Sequence, residues 1–135
     1  IAREQDTSLV GGNKKGDRAQ YALGATYAIG GATFGYQRTK DDVGLVEGTN
    51  YYENSAFGVS FSVNDNLSIS VGAHNSEQNH ASGTTTENKA TSLQAAYTVG
   101  GASVKFARTS VDNASYSTAL ANQKDGYTVA LTLAF

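Results

Sequence analysis

Hydrophobic and polar residues alternate along the chain with a period of two, and this alternation predicts β-strands rather than helices. In residues 126–135, the odd-numbered positions hold Tyr, Val, Leu, Leu and Phe, whereas the even-numbered positions hold Gly, Thr and Ala. Successive side chains of a strand point to opposite faces, so each strand has one apolar face and one small, mildly polar face. The same pattern recurs in six earlier segments, which are 18–29, 32–37, 56–63, 67–74, 92–99 and 102–107. The sequence therefore predicts an all-β chain with seven long strands.

Short and long connections alternate between these segments. The short connections are Gly30-Gly31, 64–66 and Gly100-Gly101, and their Gly and Asn residues supply the positive φ angles of tight hairpin turns. The other connections are the polar stretches 41–51, 77–89 and 112–125, which we expect to be long loops. Short turns at one side of the sheet and long loops at the other are typical of outer-membrane β-barrels.

The composition agrees with a transmembrane antiparallel β-barrel. The mean hydropathy is −0.36, the net charge is −2, and the chain contains no Cys. No apolar run approaches the length of a membrane helix. A barrel needs none, because only alternate strand residues meet lipid. Membrane lipid is therefore the expected partner, and no nucleic-acid partner is expected.

The strand count leads to an expectation about the rest of the barrel. Bacterial single-chain outer-membrane barrels have even numbers of strands from eight upward, whereas this chain has seven predicted strands and begins at Ile1 without a leader. We therefore expect an N-terminal portion of the same barrel to supply the remaining strands. On this interpretation, 1–17 is an extracellular loop and 18–135 is the seven-stranded part of one barrel domain.

Three short motifs resemble the C-terminal half of Gram-negative general porins, particularly those of the alphaproteobacterial type. The motifs are Leu-Gly-Ala-Thr-Tyr-Ala-Ile-Gly-Gly-Ala-Thr at 23–33, Val-Asn-Asp-Asn-Leu-Ser-Ile-Ser at 63–70 and Leu-Thr-Leu-Ala-Phe at 131–135. The resemblance implies the last seven strands of a 16-stranded barrel that assembles as a homotrimer in the outer membrane. It also implies a water-filled channel for passive diffusion of small hydrophilic solutes and ions, with the constriction loop in the absent half.

The parity of each strand selects the residues that would line the pore. The larger polar or charged side chains on the water side are those of Arg18, Gln20, Gln37, His74, Gln94 and Lys105. Lys105 lies between Val104 and Phe106, which both have the apolar parity. Two interpretations of Lys105 remain open, a pore-wall cation that biases the field on passing ions and a solvated lysine with little effect.

Two arginines interrupt the apolar rows at matching positions of an internal repeat. Residues 30–39 align with 100–109, which makes Arg38 equivalent to Arg108. Near the outer edge of an apolar band about 25 Å tall, a cation costs only ~0–1 kcal/mol. We expect Arg38, Lys40 and Arg108 to contact lipopolysaccharide. The alternative is that each strand has bulged or ended at the arginine, which then simply meets water.

Outward aromatic residues are expected to form girdles at the two membrane interfaces. The predicted girdle residues are Tyr27, Phe34, Phe61, Tyr97, Tyr127 and Phe135.

The sequence contains no catalytic constellation and predicts no enzyme. His74 and His80 lack Cys partners and ligand-like spacing, so no zinc site is expected. No cofactor is expected, apart from Ca²⁺ that Asp41, Asp42 and Asp112 could help to bind in the extracellular loops. Two alternatives to a porin remain, another outer-membrane barrel (an autotransporter translocator or a barrel esterase) and a secreted β-sheet adhesin.

Overall fold

The computed structural model describes residues 2–4, 17–45 and 47–134, and these form one antiparallel sheet. Its strands are β1 (Ala2–Glu4), β2 (Arg18–Ile29), β3 (Ala32–Asp42), β4 (Thr49–Ser62), β5 (Leu67–His80), β6 (Thr85–Val99), β7 (Ala102–Asp112) and β8 (Lys124–Leu133). Each strand pairs with the next one along the chain. The prediction of an all-β antiparallel fold is confirmed. Among the described residues, β1 and β8 do not pair with each other, so the sheet is open.

The short strand β1 lies inside the segment for which the sequence predicts only a loop. Its three residues pair with β2, with Ala2 opposite Gln20 and Glu4 opposite Arg18. Three residues are too few to show a period of two, which is why the alternation did not reveal this strand. Residues 5–16, which make up most of the predicted loop 1–17, lie outside the described residues.

The prediction of a long loop at 77–89 is wrong. Strands β5 and β6 stay paired as far as Asn79 and Thr85, and the connection is only 81–84, which Gly83 turns with a φ of +85°. Both faces of the sheet are polar in this region, so the hydrophobic alternation disappears while the backbone ladder continues. The other two connections are also shorter than predicted, at 43–48 and 113–123.

The strand register brings the apolar rows of all seven long strands to one face of the sheet. Residues directly opposite each other on neighbouring strands share a face, and one such row contains Tyr27, Phe34, Val59, Val71, Leu93, Arg108 and Tyr127. No large apolar side chain is buried among the described residues, and Tyr127 is 80% exposed. The sheet thus has an apolar face that no other described residue covers.

The ends of successive hairpins are staggered relative to the rows of residues that pair across the sheet. Ile29 lies in the same row as Ala32, Phe61, Ile69 and Ala95, but β6 continues four residues beyond Ala95 to its own hairpin end at Val99. A shift of four residues is about 13 Å along the strand direction, and four strand spacings are about 19 Å across the sheet. If the tight turns lie at one level, the strands tilt by about 35°.

The two Gly-Gly turns have no room for a side chain at their second position. Gly30 and Gly100 have φ angles of +57° and +55°, and a Cβ atom on Gly101 would lie 2.6 Å from the carbonyl oxygen of Ala134.

The described residues contain no helix that is long and apolar enough to cross a membrane.

Replacing Gly101 by Ala should therefore destabilise the fold. The added methyl group must push the end of β8 away from the β6–β7 turn, and we expect Gly101→Ala to lower the free energy of unfolding by about 1–3 kcal/mol. Chemical denaturation of the folded protein measures this change. Gly126→Ala is the matched control, because a Cβ atom there meets no described atom within 4 Å. Equal effects of the two substitutions would contradict the crowding at this turn.

Candidate functional site

The face opposite the apolar rows consists of small and polar side chains. One row across it contains Thr26, Gly35, Gly58, Gly72, Ser92, Thr109 and Gly126. Because these residues have little or no side chain, shallow grooves form along this polar face, including one lined by Gly24, Gln37, Ala56 and Gly58. The polar face is therefore open, with the larger polar side chains standing apart from one another.

All six residues predicted to line a pore have positions on this polar face. Gln37 and His74 lie in one row, separated by Ala56, and Gln94 pairs with Ser70 and Ala107. Arg18 and Gln20 share the parity of Gly24 on β2 and lie at the end of this strand away from the Gly30-Gly31 turn. The sixth residue, Lys105, shares the parity of Ala107 on β7. The register supports the common face, whereas the pore itself stays a prediction.

Lys105 is an exposed cation among small residues. It lies between Ala96 of β6 and Ala130 of β8, in a groove whose other members include Ser68, Ser70 and Gln94. Within the described part of the chain, no carboxylate forms an ion pair with it. A cation without a partner keeps its full field, so Lys105 can act on any charged species that passes over this face.

Arg18 and Asp41 form a two-pronged ion pair at the end of the polar face that lies away from the tight turns, beyond the apolar rows. Arg18 Nε donates to Asp41 Oδ1 at 2.9 Å, and Arg18 Nη2 donates to Oδ2 at 2.5 Å. These hydrogen bonds lower the pKa of the Asp41 carboxyl below its ordinary value. A fork-to-fork pair of this kind fixes both side chains in orientation.

A hydrogen-bonded cluster joins the loop after β7 to strands β3, β4 and β5. The hydroxyl groups of Tyr116 and Ser76 lie 2.5 Å apart, Ser76 donates to Asn54 Oδ1, and Asn54 Nδ2 donates to Thr39 Oγ1 at 3.0 Å. The ring of Tyr116 also packs against Tyr52 at a centroid distance of 5.6 Å. Sequence reasoning missed this cluster, because its members come from four separate segments without any characteristic spacing.

The backbone of this loop is unusual as well. Asn113, Ser115 and Tyr116 have φ angles of +54°, +59° and +55°, in the left-handed region that costs non-glycine residues roughly 1–2 kcal/mol each. Such conformations persist only where surrounding contacts hold them. Asn113 is the best suited of the three, and its Nδ2 donates to the carbonyl oxygen of Glu87 at 2.9 Å.

The two arginines of the apolar face differ in their surroundings. Arg38 forms an ion pair with Glu53, whereas Arg108 has no carboxylate partner among the described residues. Both strands continue in register through these positions, with Leu23 opposite Arg38 and Leu93 opposite Arg108. The alternative of a bulged or ended strand is therefore wrong. The third predicted lipopolysaccharide contact, Lys40, has its Nζ 4.0 Å from the centroid of the Tyr51 ring.

Acidic residues form a row on the apolar face, just beyond the apolar rows and away from the tight turns. Glu53, Glu77 and Glu87 lie directly opposite one another on β4, β5 and β6, and Lys89 Nζ lies 2.5 Å from Glu87 Oε2. The hydrogen bond that Lys89 donates to Glu87 raises the pKa of Lys89 above its ordinary value. A border of charge therefore separates the apolar rows from the β5–β6 connection.

The three aspartates that could help to bind Ca²⁺ do not converge. Asp41 is bound by Arg18, Asp42 Oδ1 accepts a hydrogen bond from the Gly44 amide at 3.0 Å, and Asp112 lies opposite Lys89 on β6. In the described ranges, no three His, Cys, Asp or Glu side chains group in a way that could hold a metal ion.

Four of the predicted girdle residues lie at one level above the tight turns. Tyr27 and Phe34 lie two residues from Ile29 and Ala32, which form the end pair of their hairpin. Tyr97 lies two residues from Val99, which belongs to the end pair of the β6–β7 hairpin. Phe61 lies two residues from Val63. Tyr127 lies higher, opposite Arg108. Phe135 lies outside the described residues.

No protein-family model matches the chain, and no curated protein matches it significantly.

The Arg18–Asp41 pair should contribute to stability in a pH-dependent way. Because the pKa of Asp41 is lowered in the fold, the contribution is complete above the ordinary pKa and disappears as the pH falls through the lowered one. At pH 7, Asp41→Asn should lower the free energy of unfolding by about 0.2–1 kcal/mol, and urea titrations should show the difference fading below about pH 4. The control is Asp65→Asn in the exposed turn. A difference that does not depend on pH would contradict the role of this pair.

Proposed function

We propose that this chain forms part of the wall of a transmembrane β-barrel in the outer membrane of a Gram-negative bacterium, and that the barrel is a porin. The channel would let small hydrophilic solutes and ions diffuse passively. The observation that carries this proposal is the pair of opposite faces, one with nineteen exposed large apolar side chains of the strands and the other small and polar.

The size of the apolar face argues for contact with lipid. Each large apolar side chain gains about 1.5–3 kcal/mol when it leaves water, and apolar patches larger than a few hundred Å² are rare on soluble monomers. A soluble adhesin would have to cover the face with a second layer, and the described residues supply none. Hydrocarbon would cover the whole face at once.

The stagger of the hairpins supports a barrel wall rather than a flat sheet. The tilt of about 35° derived from the register falls within the range of about 35–45° for transmembrane barrels. Strands of 10 to 15 residues exceed the 9–11 or so that a tilted crossing needs, so their polar ends would project beyond the membrane.

The levels of particular side chains fit the same membrane position. Arg38 and Arg108 each lie six residues beyond Ala32 and Ala102, the end pairs of their hairpins, which places both about 16 Å above those pairs at this tilt. The lower aromatic level lies near the turns. Between these two levels, which are about 11 Å apart at this tilt, the face is apolar, and this stretch forms part of the apolar band of about 25 Å that such barrels have.

Lipopolysaccharide contact is proposed for the residues at the upper border. Arg108 is the strongest candidate, since no described carboxylate neutralises it, and it lies beside Tyr127. Arg38 shares its charge with Glu53, and Lys40 lies above it on the same strand. A guanidinium group can donate two parallel hydrogen bonds to two phosphate oxygens. The headgroups of lipopolysaccharide offer such phosphate oxygens.

The proposal requires strands beyond the described sheet. Unpaired backbone groups at β1, β2 and β8 would each cost several kcal/mol in hydrocarbon, so further strands must pair with these edges. An N-terminal portion of the same barrel is our proposal for them. A total of 16 strands and assembly as a homotrimer follow from the resemblance to general porins.

The role of Lys105 gives the proposal a direct test. Its unpaired charge should favour anions near the polar face, within a screening length of about 10 Å at 0.1 M salt. In planar bilayers, Lys105→Glu should shift the reversal potential of the channel toward cations at low salt, and Lys105→Gln should give a smaller shift in the same direction. Both shifts should fade as the salt concentration rises, while the conductance changes little.

Lys40→Gln is the control on the opposite face, and it should leave the reversal potential nearly unchanged. A protein that stays soluble without detergent would favour a secreted adhesin. An inserted barrel without conductance would favour a translocator or a barrel esterase. If the reversal potential is the same in the Lys105 variants as in the unmodified channel, Lys105 does not lie in the ion path.

A further inference from the structure

The connection between β7 and β8 lies across the outer end of the polar face. It leaves β7 after Asp112, meets β6 where Asn113 Nδ2 donates to the Glu87 carbonyl, and reaches Ser76 of β5 and Tyr52 of β4 through Tyr116. The loop therefore passes over two strands before it returns to β8. Since Tyr52, Asn54 and Ser76 all have the parity of the polar face, the loop folds toward that face.

Resting on the proposed channel function, we propose that residues 113–123 form a fixed barrier at the outer mouth of the channel and limit the size of the solutes that enter. The Tyr116 hydroxyl is the latch that holds this barrier in place. The polar face lines the lumen in the proposed barrel, so a loop held against its outer end covers part of the entrance.

The direction of the hydrogen bonds makes the latch specific. Ser76 has a single hydroxyl proton and donates it to Asn54 Oδ1, so the Tyr116 hydroxyl is the donor in its contact with Ser76. Asn54 is fixed in turn by its own donation to Thr39. The loop is thus tied through one hydroxyl group to a chain of bonds across β5, β4 and β3.

Burial agrees with this arrangement. Ser76 is only 5% exposed, and it is the one described side chain that is buried. The three left-handed residues around the latch also need contacts to hold them. By contrast, Leu120 in the same loop is 82% exposed, so the loop is anchored near Tyr116 and not along its whole length.

The test compares Tyr116→Ala with Leu120→Ala in the full protein, reconstituted in liposomes. Swelling rates for a series of neutral sugars from monosaccharide to tetrasaccharide report the size limit. Tyr116→Ala should raise the rate for the larger sugars relative to the smallest one severalfold, because the loop is no longer held over the entrance. Leu120→Ala should leave the ratio unchanged.

Two further variants separate the hydroxyl group from the ring. Tyr116→Phe keeps the contact with Tyr52 but removes the donor, and Ser76→Ala removes the acceptor from the strand side, so both should shift the size limit in the same direction as Tyr116→Ala. Heat-modifiable migration on a gel checks that each variant is folded. An unchanged ratio of rates in folded, conducting variants would overturn the barrier. Absence of any channel in the unmodified protein would instead overturn the proposed function on which the barrier rests.

Discussion

The in-register pairing of neighbouring strands is the constraint on which the rest of this structure depends. Residues opposite each other across the ladder share a face, so a shift of one residue on any strand would move its apolar row to the polar side. From Tyr27 on β2 to Tyr127 on β8, the rows stay aligned. The two faces are therefore a property of the whole sheet, and their opposite chemistry is what supports the proposed membrane location, since no large apolar side chain is buried among the described residues.

The ends of the two faces differ as clearly as the faces themselves. Toward the tight turns, the apolar rows continue to Ile29 and Val99. Toward the other end, they stop at the level of Arg38 and Arg108 and give way to Glu53 and its neighbours. Such an abrupt change in polarity along paired strands is expected where hydrocarbon meets charged headgroups. On the polar side, this end holds the Tyr116 cluster and the Arg18–Asp41 pair.

The sequence predicted the strands, tight turns and faces well, because period-2 alternation and Gly-rich turns are local signals. Parity alone placed Lys105 on the polar face and Arg108 on the apolar face, in agreement with the strand register. The β5–β6 hairpin was missed, since Glu77 and its neighbours are polar on both faces and the alternation disappears. The Arg38–Glu53 pair and the Tyr116 latch depend on register and loop path, which no local pattern encodes.

Alternate residues of each strand are proposed to meet hydrocarbon and water, and β6 offers the most direct measurement of this arrangement. The chain has no Cys, so single cysteines at positions 93–99 of the protein in liposomes can each carry one spin label. Collision rates with oxygen, which concentrates in lipid, and with a water-soluble nickel chelate then report the surroundings of each label. Alternating contact with hydrocarbon and water predicts high oxygen accessibility at 93, 95, 97 and 99 and high nickel accessibility at 94, 96 and 98. Equal nickel accessibility at both parities would contradict it.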